Sequence, residues 1–438
     1  MGKKKIRKRL FALLLSALLV LALSACSVPM KEETEPSPRT EAAEQTGETE
    51  KTPEKAAFPR LKFIGNGNSM TELFYDADGK VIRRNTYRIA EYEGQNLIET
   101  EILCFDAEGS ITDYRLEGVP KGSEPEETVR FEGNRLIVSR ADSVTTREFE
   151  KGRQVGLHIQ SASVNYLVED EFDGGEWPVR QVVQLYEVQT DGSEPKKIYQ
   201  PTQIMTLRYE YDAAGLPLYS YLTDADGRIR MNQYTVYLFE NRPETERNDR
   251  LLTAVLGRHS VYFLTYYTDG TAKKNEKRSL AKRYDESGKE SWYEQTEIIG
   301  FETNGDILSR RVEKDPSAEE ETFTVSGRLL ETPFFSQLYH RGRVIQSHFS
   351  YSWDNDRLIH REAVYEMDQK GLYQTCHISW YLTSVREPSG EKESVPEYPD
   401  SEQKYVYFYD DTGLPIWSYQ LDEEGEPLTD SMELYLFE

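Results

Sequence analysis

Residues 209–240 read YEYDAAGLPLYSYLTDADGRIRMNQYTVYLFE, and residues 407–438 read YFYDDTGLPIWSYQLDEEGEPLTDSMELYLFE. A shift of 198 positions, with no gap, lays Tyr209, Tyr211, Asp212, Gly215, Leu216, Pro217, Ser220 and Tyr221 on Tyr407, Tyr409, Asp410, Gly413, Leu414, Pro415, Ser418 and Tyr419. The same shift carries Asp224 and Gly227 onto Asp422 and Gly425, and Tyr237 to Glu240 onto Tyr435 to Glu438. Self-similarity at a fixed displacement marks an internal duplication.

Outside this stretch the chain keeps one texture. From Phe58 onward, short runs of Tyr, Phe, Val, Ile and Thr alternate with Gly-containing turns, the pattern of antiparallel β structure. The turns share a form: an aromatic residue, an acid, two variable residues, then Gly. Tyr75 to Gly79, Phe105 to Gly109, Tyr211 to Gly215, Tyr284 to Gly288, Phe301 to Gly305 and Tyr409 to Gly413 follow it. In such a turn the acid accepts hydrogen bonds from the turn's own amides, and Gly takes the positive φ that returns the chain. Lys151 with Gly152, and Arg341 with Gly342, predict tighter two-residue hairpins.

Closing the hairpin at Asp212 to Gly215 predicts that Tyr211 faces Leu216 and Tyr209 faces Leu218, with Tyr409 facing Leu414 and Tyr407 facing Ile416 in the copy. Pro217 and Pro415 then stand opposite Glu210 and Phe408, where a residue without an amide hydrogen calls for an edge or a bulge. Lys151 to Arg153 match Arg341 to Arg343 at a shift of 190, and Phe172 and Asp173 match Trp353 and Asp354 at 181. The unequal shifts place insertions in the second half, at Arg386 to Gln403. The expected fold is all-β: two tandem duplicated units of antiparallel hairpins, 58–242 and 248–438, each a curled sheet that can roll toward a barrel. Helix-cap signals and helical periodicity are absent from the body.

The amino terminus carries Lys3, Lys4, Lys5, Arg7, Lys8 and Arg9, followed by an apolar run from Leu10 to Leu23. A membrane span needs roughly 20 apolar residues, so this run has the layout of a secretory signal. Leu23, Ser24, Ala25 and Cys26 resemble the lipobox of bacterial lipoproteins. That resemblance implies removal of residues 1–25, acylation of Cys26, and a protein held at the extracytoplasmic side of a bacterial membrane by lipid. Two or more acyl chains anchor a soluble body stably. Residues 26–57, rich in Glu, Thr, Pro and Ala, read as the lipidated cysteine and an acidic tether that reaches about 30 Å.

The formal net charge is −24, and losing the six cationic residues of the signal takes it to −30. Phosphate binding needs clustered Lys and Arg, so nucleic acid is not an expected partner. Cys104 and Cys376, one per unit, form no metal-ligand spacing and give little reason to expect a disulfide. The Tyr-Asp-x-x-Gly element, complete at Tyr75, Tyr211, Tyr284 and Tyr409, resembles the YD repeat of the bacterial Rhs and teneurin type. That family implies long curling antiparallel sheets that can close into a shell. No counterpart of the family's autoproteolytic or toxin segments is found. The second copy runs to Glu438, and no effector domain is expected after it.

Catalytic signatures are missing. There is no GxSxG; SxxK at Ser193 with Lys196 and at Ser389 with Lys392 falls in polar loops. Gly65 and Gly67 read as a turn, since no phosphate-binding helix follows. His340, His348, His360 and His377 cluster in the second unit without zinc spacing, and His348 is expected to pair with Phe335. Asp76, Asp78, Asp224 and Asp226 suit turns better than a calcium loop. No cofactor or metal is expected.

What remains is aromatic. Tyr219, Tyr221, Trp417 and Tyr419 lie on the face opposite Tyr209 and Tyr211, so each hairpin carries large apolar groups on both sides. Either the sheet has core on each face, or these four form a binding platform for cell-wall glycan or an envelope protein. The expected function is a non-catalytic binding or structural module of the cell envelope. The alternatives are an envelope carbohydrate-active hydrolase with a carboxylate pair among its 77 acids, and a calcium-stiffened spacer. Mass spectrometry of the purified protein should find residue 26 at the amino terminus carrying diacylglycerol, and Cys26→Ser should release the protein from membranes; an unmodified Cys26 would retire the lipoprotein reading.

Overall fold

The computed structural model describes residues 60–92, 94–123, 126–161, 165–185, 203–240, 251–284, 290–313, 324–332, 335–352, 357–384 and 400–437. The expected signal and tether, Cys26, the turn after Tyr284 and most of the Arg386–Gln403 segment lie outside these residues. Ser401 to Gln403 belong to a strand and not to an insertion.

Every helix or strand element among the described residues is a β-strand. The first unit comprises β1 (Arg60–Gly65), β2 (Ser69–Tyr75), β3 (Val81–Tyr92), β4 (Gln95–Phe105), β5 (Ile111–Glu117), β6 (Thr128–Glu132), β7 (Arg135–Ser139), β8 (Ser143–Glu150), β9 (Arg153–Ser161), β10 (Asn165–Phe172), β11 (Pro178–Leu185), β12 (Gln203–Tyr211), β13 (Pro217–Thr223) and β14 (Thr235–Glu240). The second repeats the set as β15 (Leu252–Gly257), β16 (Ser260–Tyr266), β17 (Ala272–Tyr284), β18 (Glu290–Phe301), β19 (Ile307–Glu313), β20 (Thr324–Ser326), β21 (Leu329–Glu331), β22 (Phe335–His340), β23 (Arg343–Ser352), β24 (Arg357–Met367), β25 (Tyr373–Ser384), β26 (Ser401–Tyr409), β27 (Pro415–Leu421) and β28 (Glu433–Phe437).

Each unit is one 14-stranded antiparallel sheet. Consecutive strands pair, and the first strand pairs with the last: β1 with β14, and β15 with β28. The meander therefore nearly closes into a barrel-like ring. Its seam lies between β5 and β6, bridged where the Ile111 amide donates to the Gly133 carbonyl at 2.8 Å, and in the second unit where Ile307 donates to Gly327 at 2.8 Å.

The turns form as their acids dictate. Asp76 Oδ1 accepts from the amides of Asp78 and Lys80, and Asp212 Oδ1 from those of Ala214 and Leu216. Asp106, Asp224, Asp368, Asp410 and Asp422 repeat the arrangement. Lys151 and Gly152, and likewise Arg341 and Gly342, all have positive φ, as a two-residue hairpin requires.

The register at the duplicated hairpin differs from expectation. Asp212 closes on Leu216, main chain to main chain, and the ladder then takes a bulge. Tyr211 faces Pro217, Glu210 faces Tyr219 and Tyr209 faces Ser220; in the copy Tyr409 faces Pro415, Phe408 faces Trp417 and Tyr407 faces Ser418. The bulge expected beside the prolines is there, one step from where the pairing was drawn. Tyr211 and Tyr409, expected in the buried face, are 48% and 57% exposed. Another bulge, at Leu338 and Tyr339, moves His348 from Phe335 onto Ser336. The counterpart of Phe172, which ends β10 opposite Pro178, is Met367, which ends β24 opposite Tyr373; the match to Trp353 fails.

The two rings pack through their outer faces. Phe63, Met70, Tyr219, Tyr234 and Val236 of the first unit share a core with Leu256, Val261, Trp417, Met432 and Leu434 of the second. The Tyr234 amide donates to Arg258 at 2.7 Å, and the Met432 amide donates to Gly67 at 2.9 Å. Tyr234 and Met432 are equivalent under the 198 shift, and the β1 and β15 registers make Gly67 and Arg258 equivalent. The contact is therefore isologous, the arrangement of a twofold dimer built into one chain.

Gly152 and Gly215 have similar positive φ, 74° and 80°, but a Cβ on Gly152 would meet Val81 Cγ1 at 2.5 Å whereas one on Gly215 meets nothing within 4 Å. Urea denaturation should show Gly215→Ala costing about 1 kcal/mol, from backbone strain alone, and Gly152→Ala about 3 kcal/mol, from strain plus overpacking.

Candidate functional site: the lumen of the first unit

Alternation along the strands sends every second residue into the ring. On β12 these are Gln203, Met205, Leu207 and Tyr209, while Ile204 between them faces out and is exposed. They line a cavity of about 860 Å³ in the lumen of the first unit, within the range of small-molecule sites. Ile64 on β1, Thr71 on β2, Arg84 on β3, Val168 on β10, Val183 on β11 and Tyr237 on β14 contribute from the other strands. Exposed Arg230 marks where the cavity meets solvent.

Its polar groups are few and fixed. Asp170 accepts a hydrogen bond from Gln181 Nε2 at 3.2 Å. Burial pushes the Asp170 carboxyl up to about 6, against the Gln181 bond and the charge of Arg153, which pull the other way. Tyr209 donates to the Pro178 carbonyl at 3.0 Å, and Ser220 shares a hydrogen bond with Tyr237 at 2.9 Å, so the rings stand rigidly. Arg153 lies over the Trp177 ring at 4.7 Å. Arg84, 5% exposed, donates to the Gly152 carbonyl at 3.1 Å, and its Nε has no partner.

Strand registers give each position its counterpart in the second unit, where the framework bonds recur. Ser418 meets Tyr435 at 2.7 Å, Tyr407 donates to the Tyr373 carbonyl, and Asn275 donates to the Gly342 carbonyl at 2.6 Å. The contents differ. Thr71, Asp170, Leu207 and Thr235 are replaced by Tyr262, Tyr365, Tyr405 and Glu433. Ring contacts run without a break from Tyr365 through Tyr373, Tyr405 and Tyr407 to Tyr435, at 4.8 to 6.4 Å, and Arg343 lies over Tyr373 at 4.2 Å. Bulkier side chains thus stand in the second ring at positions where the first has Thr, Asp and Leu.

Of the aromatic residues predicted as a binding platform, Tyr219 and Trp417 are 0% and 2% exposed, sealed between the rings, so they are not a surface. Tyr221 and Tyr419 pack against the same core, half-buried, and Tyr221 also reaches the cavity wall. The outer face carries large apolar groups because it is the second core. Sequence reasoning missed the lumen residues: Asp170, Arg84 and Gln181 come from different strands, and only the alternation along β12 hinted at an inner face.

Other candidates are accounted for. Ser350 Oγ lies 2.9 Å from His348 Nε2 and 2.8 Å from His360 Nδ1, and His348 Nδ1 lies 3.3 Å from Glu362, but this chain of polar contacts runs across adjacent strands β23 and β24 of the sheet. It does not line the cavity. Among the described residues, no group of three or more His, Cys, Asp or Glu is arranged to hold a metal. Cys104 and Cys376 are free thiols. The Ser193–Lys196 and Ser389–Lys392 pairs lie outside the described residues. Asp170 is the single carboxylate in the described cavity wall, so no carboxylate pair is found there.

No family model matches the chain, and no curated protein matches it. Among solved structures, a porin-like protein from Bacteroides uniformis aligns with 71% of this chain and 95% of its own at 10% identity, with a TM-score of 0.15. The Tc holotoxin pore of Photorhabdus luminescens aligns with 82% of this chain at 11% identity and a TM-score of 0.16, this chain spanning 23% of that one. The WD40 domain of SCAP from fission yeast aligns with 87% of this chain and 88% of its own at 10% identity, with a TM-score of 0.12. Superpositions this loose carry no argument about the activity of this chain.

Asp170 supplies a test. Its carboxyl titrates higher in the folded chain than the ordinary 3.8, so the fold favours the protonated form. Stability from this group is full below pH 3.8 and is lost as the pH rises through 6. Asp170→Asn should therefore be the more stable protein at pH 7.5, by on the order of 2 kcal/mol, with the advantage gone near pH 4. Urea melts at the two pH values read the difference, and a constant offset would contradict it.

Proposed function

We propose that this chain is an exported, lipid-anchored protein of the bacterial cell envelope that binds a small ligand without chemically changing it, in the lumen of its first unit, while the second unit acts as the structural partner. The observation that carries the reading is the cavity of about 860 Å³ in the first lumen, at positions where the second lumen carries a chain of contacting tyrosines. A void of that size forgoes packing that the sister unit obtains, and a ligand would restore it.

The lipobox-like Cys26 and the acidic tether support the address, and the YD-like turns support a shell-type ancestry for the rings. The polymer and protein partners expected from an aromatic platform lose their support with the burial of Tyr219 and Trp417. A glycan fragment small enough to enter the ring stays within the proposal. In the described cavity wall Asp170 is the single carboxylate, and the buried Glu99 and Glu101 are engaged by Arg88 and Arg147, which favours binding over the hydrolase reading.

The second unit provides the test. Leu207→Tyr with Asp170→Tyr installs in the first lumen the side chains that the second carries at Tyr405 and Tyr365. N-phenyl-1-naphthylamine, a neutral fluorescent probe of apolar cavities, should bind the wild-type protein saturably. The filled variant, with its melting temperature kept, should lose at least about tenfold in affinity. Equal binding by the filled variant would place the probe elsewhere and overturn the reading.

A further inference from the structure

In the lumen of the first unit, buried cations and carboxylates do not balance. Arg147 pairs with Glu101 at 2.8 Å, and Arg88 pairs with Glu99, all four buried or nearly so. Arg84 is buried beside them and has no ion pair among the described residues. Burial pushes its guanidinium down to about 9, still above neutral pH, so it faces the cavity as a cation.

The fold does not need that charge. Its hydrogen bond to the Gly152 carbonyl is made at the equivalent place in the second unit by the neutral amide of Asn275 to Gly342. The second unit also carries a lumen carboxylate, Glu433, near Arg343, where the first has Thr235. The first lumen thus has a cation at residue 84 where the second has Asn275, and lacks the anion at residue 235; the second holds its own cation, Lys277, where the first has Thr86, and sets it beside Tyr262 and Glu297. The rest of the described wall adds Arg153 and Arg230 against Asp170 alone. A net cationic cavity inside a chain of net charge −24 is a local departure that a solvated surface does not explain.

We propose that the cavity takes an anionic amphiphile: one carboxylate or phosphate group at the free Nε edge of Arg84, with an apolar body along Val168, Val183, Met205 and Leu207. This rests on the cavity being the binding site. A guanidinium edge offers paired donors to a planar or tetrahedral oxyanion, and the buried setting makes that contact strong.

The test uses two probes that differ by one group, neutral N-phenyl-1-naphthylamine and its sulfonate, 1-anilinonaphthalene-8-sulfonate. Arg84→Asn, the residue the sister unit carries, retains a donor for Gly152. The sulfonate should bind the wild-type protein and lose at least about tenfold in affinity in Arg84→Asn, while the neutral probe changes less than about twofold. Dodecanoate and dodecyl phosphate should displace the sulfonate, the stronger of the two naming the head group, and dodecanol should not. Equal loss of both probes, no loss of the sulfonate, or displacement by dodecanol as effective as by dodecanoate would each overturn the anionic assignment. Failure of the neutral probe to bind the wild-type protein would instead overturn the cavity as a site.

Discussion

The pairing of each unit's first strand with its last is the constraint on which the molecule depends. A meander of this kind leaves two open edges, each a row of unsatisfied main-chain groups. Here β1 and β14, and β15 and β28, satisfy those groups on one another. The same ladder separates two environments. Ile64 and Tyr237 on one side of it line the cavity, while Phe63 and Val236 on the other join the core between the rings. One set of hydrogen bonds therefore defines both the cavity wall and the surface on which the second copy sits.

The duplicated units show what the framework fixes and what it leaves free. Tyrosine hydroxyls bonded to carbonyls, the serine–tyrosine bond and the donor onto the two-residue hairpin recur at matching positions. Other side chains of the lumen have diverged from Thr, Asp and Leu to Tyr. The second class is free to vary because the first holds the backbone constant.

Much of this was readable from residues alone. The acid and glycine of each turn specify the turn by local hydrogen bonding and positive φ, so strand content, hairpin order and duplication followed from short windows. The register did not, because a bulge at Leu218 shifts the ladder by one residue and no side chain announces it. Aromatic residues on both faces of the hairpin pointed to core on both sides or to a surface, and only the partner ring decides between them. The lumen was the least legible part. Arg84 looks like any surface arginine on a polar strand until ring closure buries it, and Asp170 acquires its raised titration from neighbours on other strands.

The contact between the rings is symmetric in backbone but not in chemistry. Arg278 binds Glu210 at 2.9 Å and the Tyr219 hydroxyl at 3.1 Å; at the positions equivalent to those three, Tyr87 lies against Trp417 and Phe408, whose rings stack at 3.7 Å. Two copies of the first unit, set face to face, would bury Glu210 against tyrosine with no cation to meet it. Covalent linkage has let each half specialise to the other, and like halves of neighbouring molecules are poor substitutes. The contact between the rings thus encodes a preference for the unlike sister over a like one.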